Sequence, residues 1–158
     1  MSPPYAELHC LSNFTFLRGA SHAEELVERA VRLGYSALAI TDECSLAGVV
    51  RAHAAAKNTT LKLIIGAEFR LDDGLRFVLL AQNREGYGNL AELITRGRRN
   101  AKKGEYRLSR EDLGAGLDHC LALWLPPAAP RIEDARWLAE RFPGRTWIAV
   151  ELLARGGD

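Results

Sequence analysis

The chain of 158 residues is 47% hydrophobic and 26% charged, which suits one globular domain with a real core and is too short for two ordinary ones. Its 21 Lys and Arg stand against 20 Asp and Glu, so net charge gives no argument for a polyanionic partner, and nucleic-acid contact would need a local patch. Cys10, Cys44 and Cys120 are odd in number and far apart, as expected of reduced thiols in a cytoplasmic protein, and no apolar run approaches membrane-spanning length.

In chain order, "MSPPYAEL" lacks the basic and apolar regions of a signal peptide, and "YAELHCL" alternates as a strand. "SHAEELVERAVRLG" predicts a helix, with Ser21 and Glu24 as a capping box, Leu26, Val27, Ala30 and Val31 as the apolar stripe, and Gly34 as the stop. "SALAIT" reads as a strand buried on both faces, with Asp42 directly after it. "LAGVVRAHAAAK" predicts a second helix and "LKLIIGAEF" a third strand. "RLDDGLRFVLLAQN" turns at Asp73 and Gly74 and returns as a fourth strand. "GYGNLAELITRGRRNAKK" is mostly helical, and "SREDL" starts a short helix at Ser109. "CLALWL" is a buried strand, "PPAAP" a rigid connector, "IEDARWLAERF" a helix and "TWIAVELL" the last strand. The alternation predicts an α/β fold in one domain, residues 1–158, with a mostly parallel sheet or barrel and helices outside.

In such folds the working end is the carboxyl edge of the strands. His9 is expected to close the first strand, Asp42 the second and Glu68 the third, so three successive strands bring acid–base or ligand groups to one rim. Side chains two apart on a strand share a face, so a strand-built metal site would use a second ligand where Leu11 stands. Cys10 should face away and pack. His119 falls at the opposite rim, His53 on a helix flank and His22 in an exposed first turn. Asp42 and Glu43 would raise the pKa of the Cys44 thiol. The basic run "RGRRNAKKGEYR" carries Arg96, Arg98, Arg99, Lys102, Lys103 and Arg107, and it serves either as a phosphate-neutralising patch or as a solvated or domain-facing surface.

Four separated stretches, "LHCLSNFTFLRGAS", "ALAITDECSLAGVV", "LIIGAEF" and "NREGYGNLAELITRGRR", together span nearly the whole chain. In sequence and order they resemble the N-terminal PHP (polymerase and histidinol phosphatase) domain of bacterial C-family DNA polymerase III α-subunit-like proteins. The nearest likeness is to the error-prone branch of damage-induced (SOS) mutagenesis. The resemblance implies a distorted (β/α) barrel with a metal cluster at the strand ends and, in active relatives, phosphoester hydrolysis. It also implies a parent chain that is a DNA-directed DNA polymerase, a nucleotidyltransferase of DNA replication and repair. The present residues would be an N-terminal fragment of that chain, inactive alone, whose barrel stops before its last β/α units.

Carried over residue by residue, the match is incomplete. Of the family's His-x-His, His9 matches and Leu11 replaces the second histidine. Of Thr-Asp-His, Thr41 and Asp42 match and Glu43 replaces the histidine. Gly-x-Glu survives as Gly66 and Glu68. Arg98 stands for a later histidine, Pro126 lies near the place of a cysteine, and a final Asp-x-His would lie beyond Asp158. The resemblance therefore implies a degenerate site in which His9, Asp42, Glu68 and Glu43 are vestigial or weak ligands. No tightly bound cofactor is expected, and at most one weak Zn or Mn. The role is then structural, packing against the remainder of the polymerase chain, with DNA met through that polymerase. One alternative is an active metal-dependent phosphoesterase or proofreading-type exonuclease. Another is a DNA-binding module using the basic helix 96–107. An incomplete barrel would leave an open edge near Ile148 and Val150, guarded only by Glu151 and Arg155, which predicts a homodimer.

Overall fold

Short apolar runs and amphipathic helices assemble here into one curled six-stranded sheet, a half-barrel, in a computed structural model that describes residues 4–114 and 116–151. The strands are β1 (Ala6–Cys10), β2 (Ala37–Ile40), β3 (Lys62–Arg70), β4 (Arg76–Ala81), β5 (Cys120–Trp124) and β6 (Thr146–Ile148), side by side in that order. The helices are α1 (Ala23–Arg32), α2 (Val49–Ala56), α3 (Arg84–Arg99) and α4 (Ile132–Arg141), with a 3₁₀ turn at Glu111–Leu113.

The pairs β1–β2, β2–β3 and β5–β6 are parallel, whereas β3–β4 and β4–β5 are antiparallel. Five strands therefore share one direction and β4 alone opposes them. The β3–β4 hairpin turns where expected, with Gly74 at φ +91°. The sheet is thus mostly parallel, as the alternation predicts; α3 links β4 to β5, and the one reversed strand makes both of its neighbours antiparallel to it.

Strand alternation sorts side chains onto two faces. Leu38 and Ile40 of β2 pack with Ala23, Val27 and Ala30 of α1 and with Ala52 and Ala56 of α2. Phe69, Phe77, Leu79, Ala122 and Trp124 pack with Leu90 and Leu93 of α3 and Leu138 of α4. The intervening residues, Ala39, Val78, Leu80 and Leu123, form a third cluster on the inner face. Cys10, Ala67 and Phe69 belong to the helix-side clusters, so their neighbours His9 and Glu68 fall on the inner side.

Several boundaries move. The α1 cap lies one residue later than expected: the His22 backbone N–H donates to Glu25 at 2.7 Å. The second helix begins at Val49 and α3 ends at Arg99. The Ser109 segment forms only a 3₁₀ turn, with its N–H and hydroxyl donating to Asp112 at 2.8 and 3.0 Å. β6 covers three residues of the expected final strand. Leu152, Leu153 and Arg155 lie outside the described residues. Among the described residues β6 pairs only with β5, and Trp147, Ile148 and Val150 are exposed beside that edge.

Two glycines of α3 test this packing. A Cβ at Gly86 would stand 2.2 Å from the His119 carbonyl oxygen, whereas one at Gly88 meets nothing within 4 Å. Gly86→Ala should therefore destabilise the fold by about 2 kcal/mol or more. Gly88→Ala, in an exposed helix interior, should stabilise it by about 0.5–1 kcal/mol. Denaturant titration of the two variants side by side reads both signs.

Candidate functional site

The first element of the site is a close approach of β2 to β3. Beyond Ile40 the chain continues alongside β3, the Glu68 N–H lying 3.2 Å from the carbonyls of both Thr41 and Asp42. The Cys44 N–H donates to the Glu68 carbonyl at 2.8 Å, and Glu43 faces Glu68 in a parallel bridge. Cys44 takes the left-handed conformation, φ +46°, to make this crossing. Two carboxylates thus stand side by side. Glu68 lies inside β3, which runs on to Arg70, rather than closing the strand as expected.

Between those carboxylates lies the guanidinium of Arg18. Its Nη1 donates to Glu43 Oε2 at 2.7 Å and to Glu68 Oε1 at 2.9 Å, and its Nη2 donates to Glu68 Oε2 at 2.9 Å. This is the two-pronged geometry that makes arginine–carboxylate pairs strong. From β4, Arg76 Nη2 donates to Glu68 Oε1 at 2.9 Å, and His9 Nε2 lies 2.8 Å from Glu68 Oε2. The other ring nitrogen of His9 meets the carboxylate of Glu151, beyond β6, so the rim of the half-barrel is bridged from its first strand to its last. Tyr106 donates its hydroxyl to Glu43 Oε1 at 2.9 Å and accepts the Arg70 N–H at 2.9 Å.

The loop between β1 and α1 aims Arg18. Within it, the N–H groups of Thr15 and Gly19 donate at 2.9 Å to the carbonyls of Ser12 and Thr15, and the Asn13 N–H donates to the Ser21 carbonyl at 2.8 Å. Buried Asp42 ties the loop down, accepting from the Ser12 N–H at 2.8 Å and from the hydroxyls of Ser12 and Thr15 at 2.6 Å each. Leu17, immediately before Arg18, sits at φ +64°, and a Cβ on Gly19 would lie 2.0 Å from the Ser12 carbonyl oxygen. Strain of this kind persists only where the surroundings over-determine the backbone.

Burial opposes the charge on Glu68, but hydrogen bonds from His9, Arg18 and Arg76 outweigh it and hold the carboxyl at about 2. Burial likewise pulls the His9 pKa down, while hydrogen bonds to Glu68 and Glu151 raise it above its ordinary value. Cys44 is pushed up to about 11, chiefly by burial, with Arg98 acting against the rise and Glu43 adding to it. A metal fits this donor set poorly. Both Asp42 oxygens are committed to the loop, Leu11 offers no donor, and Arg18 already spans Glu43 and Glu68. Among the described residues, no group of three or more His, Cys, Asp and Glu is arranged to hold an ion.

The structure thus brings His9, Glu68 and Glu43 together and turns Asp42 toward the loop. Leu11 is half-buried and joins none of the three hydrophobic clusters of the described residues. Arg98 reaches the same neighbourhood: its Nη2 donates to the Cys44 carbonyl at 3.1 Å and its guanidinium lies 5.6 Å from the Tyr106 ring centroid. Elsewhere in the basic run, Arg96 donates to the Asp112 carbonyl at 2.6 Å and Arg107 pairs with Asp72 at 2.8 Å. The side chains of Arg99, Lys102 and Lys103 have no hydrogen-bond or ion-pair partner among the described residues. A hollow of about 640 Å³ beside them is lined by Asp72 and Glu105 as well as by Arg99, Lys102 and Arg107, a mixed-sign wall rather than a cationic groove. Sequence reasoning missed Arg18 and Arg76. The available signal for Arg18 was a lone cation in the otherwise uncharged stretch "LSNFTFLRGAS".

A family model described as "PHP domain" matches residues 7–149. An error-prone DNA polymerase from Methylococcus capsulatus is 65% identical over 155 residues, covering 98% of this chain and 15% of that protein. Another from Dechloromonas aromatica is 62% identical over 161 residues, covering 99% of this chain and 16% of that protein. The chain thus spans about a sixth of the length of these curated relatives. Among solved structures, an amidohydrolase from Chromobacterium violaceum, with bound sulfate and no metal, superposes with a TM-score of 0.68 at 16% identity, covering 91% of this chain and 76% of its own. A candidate metal-dependent phosphoesterase from Bifidobacterium adolescentis gives 0.69 at 13% identity, covering 92% and 76%.

Two predictions follow from this geometry. Glu68 is depressed from 4.5 to about 2, so its contribution to stability is present above pH 4.5 and lost as pH falls toward 2. His9 is raised above 6.5, so its contribution is present below pH 6.5 and lost as pH climbs through the folded-state value. Urea midpoints measured against pH should fall off on both sides of a window from 4.5 to 6.5, and Glu68→Gln should flatten the acid limb. In the basic run, Arg98→Gln should cost about 1 kcal/mol. Changing Arg99, Lys102 and Lys103 together to Gln should stay within about 0.5 kcal/mol of the parent, read by the same titration.

Proposed function

The chain belongs to the PHP domain family, and on that premise we propose that it is the N-terminal PHP domain of an error-prone DNA polymerase and serves there as a structural module rather than a hydrolase. The relatives' shared name supports the parentage. The observation that carries the structural role is the guanidinium of Arg18 set between Glu43 and Glu68.

In this reading the parent chain carries out DNA-directed nucleotidyl transfer in the cytoplasm during damage tolerance and SOS mutagenesis, with its reacting carboxylates outside these residues. His9 and Glu68 are vestiges of a metal site. His9 is no free base, since a carboxylate faces each ring nitrogen. Glu68 is no acid, since hydrogen bonds from His9, Arg18 and Arg76 keep it ionised. The domain's work is to present a rigid surface to the polymerase body. Arg99, Lys102 and Lys103 are available for that contact, or for DNA held by the same polymerase. The apolar edge at Trp147, Ile148 and Val150 is assigned to the remainder of the chain, with a homodimer as its substitute where the domain is alone.

Metal analysis and a chromogenic phosphoester test the reading. After dialysis against a weak chelator the protein should carry well under one zinc or manganese per chain and hydrolyse nothing when either metal is supplied. Two or more metals per chain, with hydrolysis abolished by His9→Ala, would overturn it.

A further inference from the structure

We propose that the tip of the β1–α1 loop, Phe16 and Leu17, is a preformed anchor that seats in an uncharged apolar pocket on the polymerase body of the same chain. The assignment rests on the reading of this chain as a structural domain of a longer polymerase, and it says where the domain holds that body.

Exposure sets the tip apart. Among the described residues Leu17, at 90%, and Phe16, at 84%, are the most exposed of the large hydrophobic side chains, and Phe14 is exposed beside them. Thr15 turns the other way and is buried, its hydroxyl donating to Asp42. The loop therefore buries a polar side chain and presents its apolar ones. One exposed apolar residue needs no explanation, whereas a contiguous group marks a contact surface.

The backbone is fixed before any partner arrives. Leu17 holds φ +64°, a conformation that glycine adopts freely and leucine only under strain. Polar contacts hold the loop in this form: Asp42 accepts from Ser12 and Thr15, and Gly19 lets the chain close on the Ser12 carbonyl. A tip fixed in this way has little ordering left to lose on docking.

Charge decides between partners. The stretch from Asn13 to Leu17 carries none, and the arginine that follows already spans Glu43 and Glu68. A nucleic-acid strand would find no free cation in this loop for its phosphates. A polypeptide would find apolar surface on both sides of the ionic cluster. Leu17 precedes Arg18 on one side, and Val150, 79% exposed, precedes Glu151 on the other, with Glu68 and His9 joining the two. One surface can cover both patches without desolvating an unpaired carboxylate at Glu43 or Glu68. The rest of the same chain is the favoured polypeptide. This chain spans about a sixth of the length of its curated relatives, and a tethered partner acts at an effective concentration of about millimolar, which free copies do not reach.

The test uses the full natural chain that carries this domain, with Phe16 replaced by the photoreactive p-benzoylphenylalanine. Irradiation with primer–template DNA present should join position 16 to a peptide from beyond residue 158 of the same chain, found by mass spectrometry at monomer mass. Leu17→Gly adds a test of sign. Glycine relieves the left-handed strain, so at a free tip it would leave amide exchange beyond residue 158 unchanged. At a seated tip it removes the anchor, and exchange in the cross-linked peptide should quicken about tenfold. Leu17→Met, which keeps the apolar bulk, should stay within about twofold of the parent. Unchanged exchange in Leu17→Gly overturns the inference, as does an adduct of position 16 with the DNA or with a second copy at dimer mass. Silence at position 16, while the same photoreactive residue in place of Ile148 captures the body, overturns it and leaves the structural reading standing. Silence at both positions takes the structural reading down as well.

Discussion

A carboxylate with no solvent exposure, Glu68, sets the terms for the rest of this rim. Removing an ion from water costs several kcal/mol even after relaxation, and only close, well-directed partners offset that cost. Glu68 has Arg18, Arg76 and His9. Each comes from a different segment, so the buried charge ties the β1–α1 loop, the β3–β4 hairpin and the end of β1 to one point. Breaking such a group leaves the others desolvated and unpaired, which makes the cluster cooperative.

The sheet explains why these partners can meet. Because β4 alone runs backward, Arg76 at its start lies beside the end of β3, and its long side chain reaches the carboxylate of Glu68. Because the other five strands point the same way, His9 near the end of β1 and Glu151 beyond β6 belong to one rim. Curling the sheet brings those two ends into contact. A flat sheet in the same strand order would hold them apart with four strands between.

Much of this was legible from residue patterns. Strand alternation placed His9 and Cys10 on opposite sides, and the Asp73–Gly74 turn announced the hairpin. The convergence of His9 and Glu68 followed from assigning both to strands of one parallel set. Helix boundaries were less legible, since Glu24 and Glu25 are both plausible partners for a cap and the choice depends on how the preceding loop enters. That loop is also where sequence reasoning failed. Arg18 reaches Glu68 across fifty residues through a left-handed leucine, and no periodicity specifies a backbone of that kind. Asp42 shows the same limit of legibility. Its motif position suggests a ligand, yet its neighbours Ser12 and Thr15 lie on the loop, and only the folded loop shows that they take both of its oxygens.

A guanidinium and a divalent metal ion satisfy the same carboxylates but differ in what else they permit. A metal lowers the pKa of a bound water and polarises a substrate oxygen. Arginine keeps its proton, and here hydrogen bonds to Glu68 and Glu43 raise its pKa further despite burial. It therefore cannot generate a nucleophile, and its fixed fork leaves no coordination position open to a substrate. In return the cation cannot dissociate, be chelated or be exchanged, so the rim keeps one geometry whatever the metal supply. Leu11 and Glu43, at two positions where the family pattern has histidine, are compatible with that arrangement: the leucine offers no ligand to attract a metal, and the glutamate gives Arg18 its second carboxylate. Leu11, Glu43 and Arg18 are thus mutually consistent: the leucine leaves the rim without a further polar group there, and the glutamate and the guanidinium neutralise each other beside Glu68.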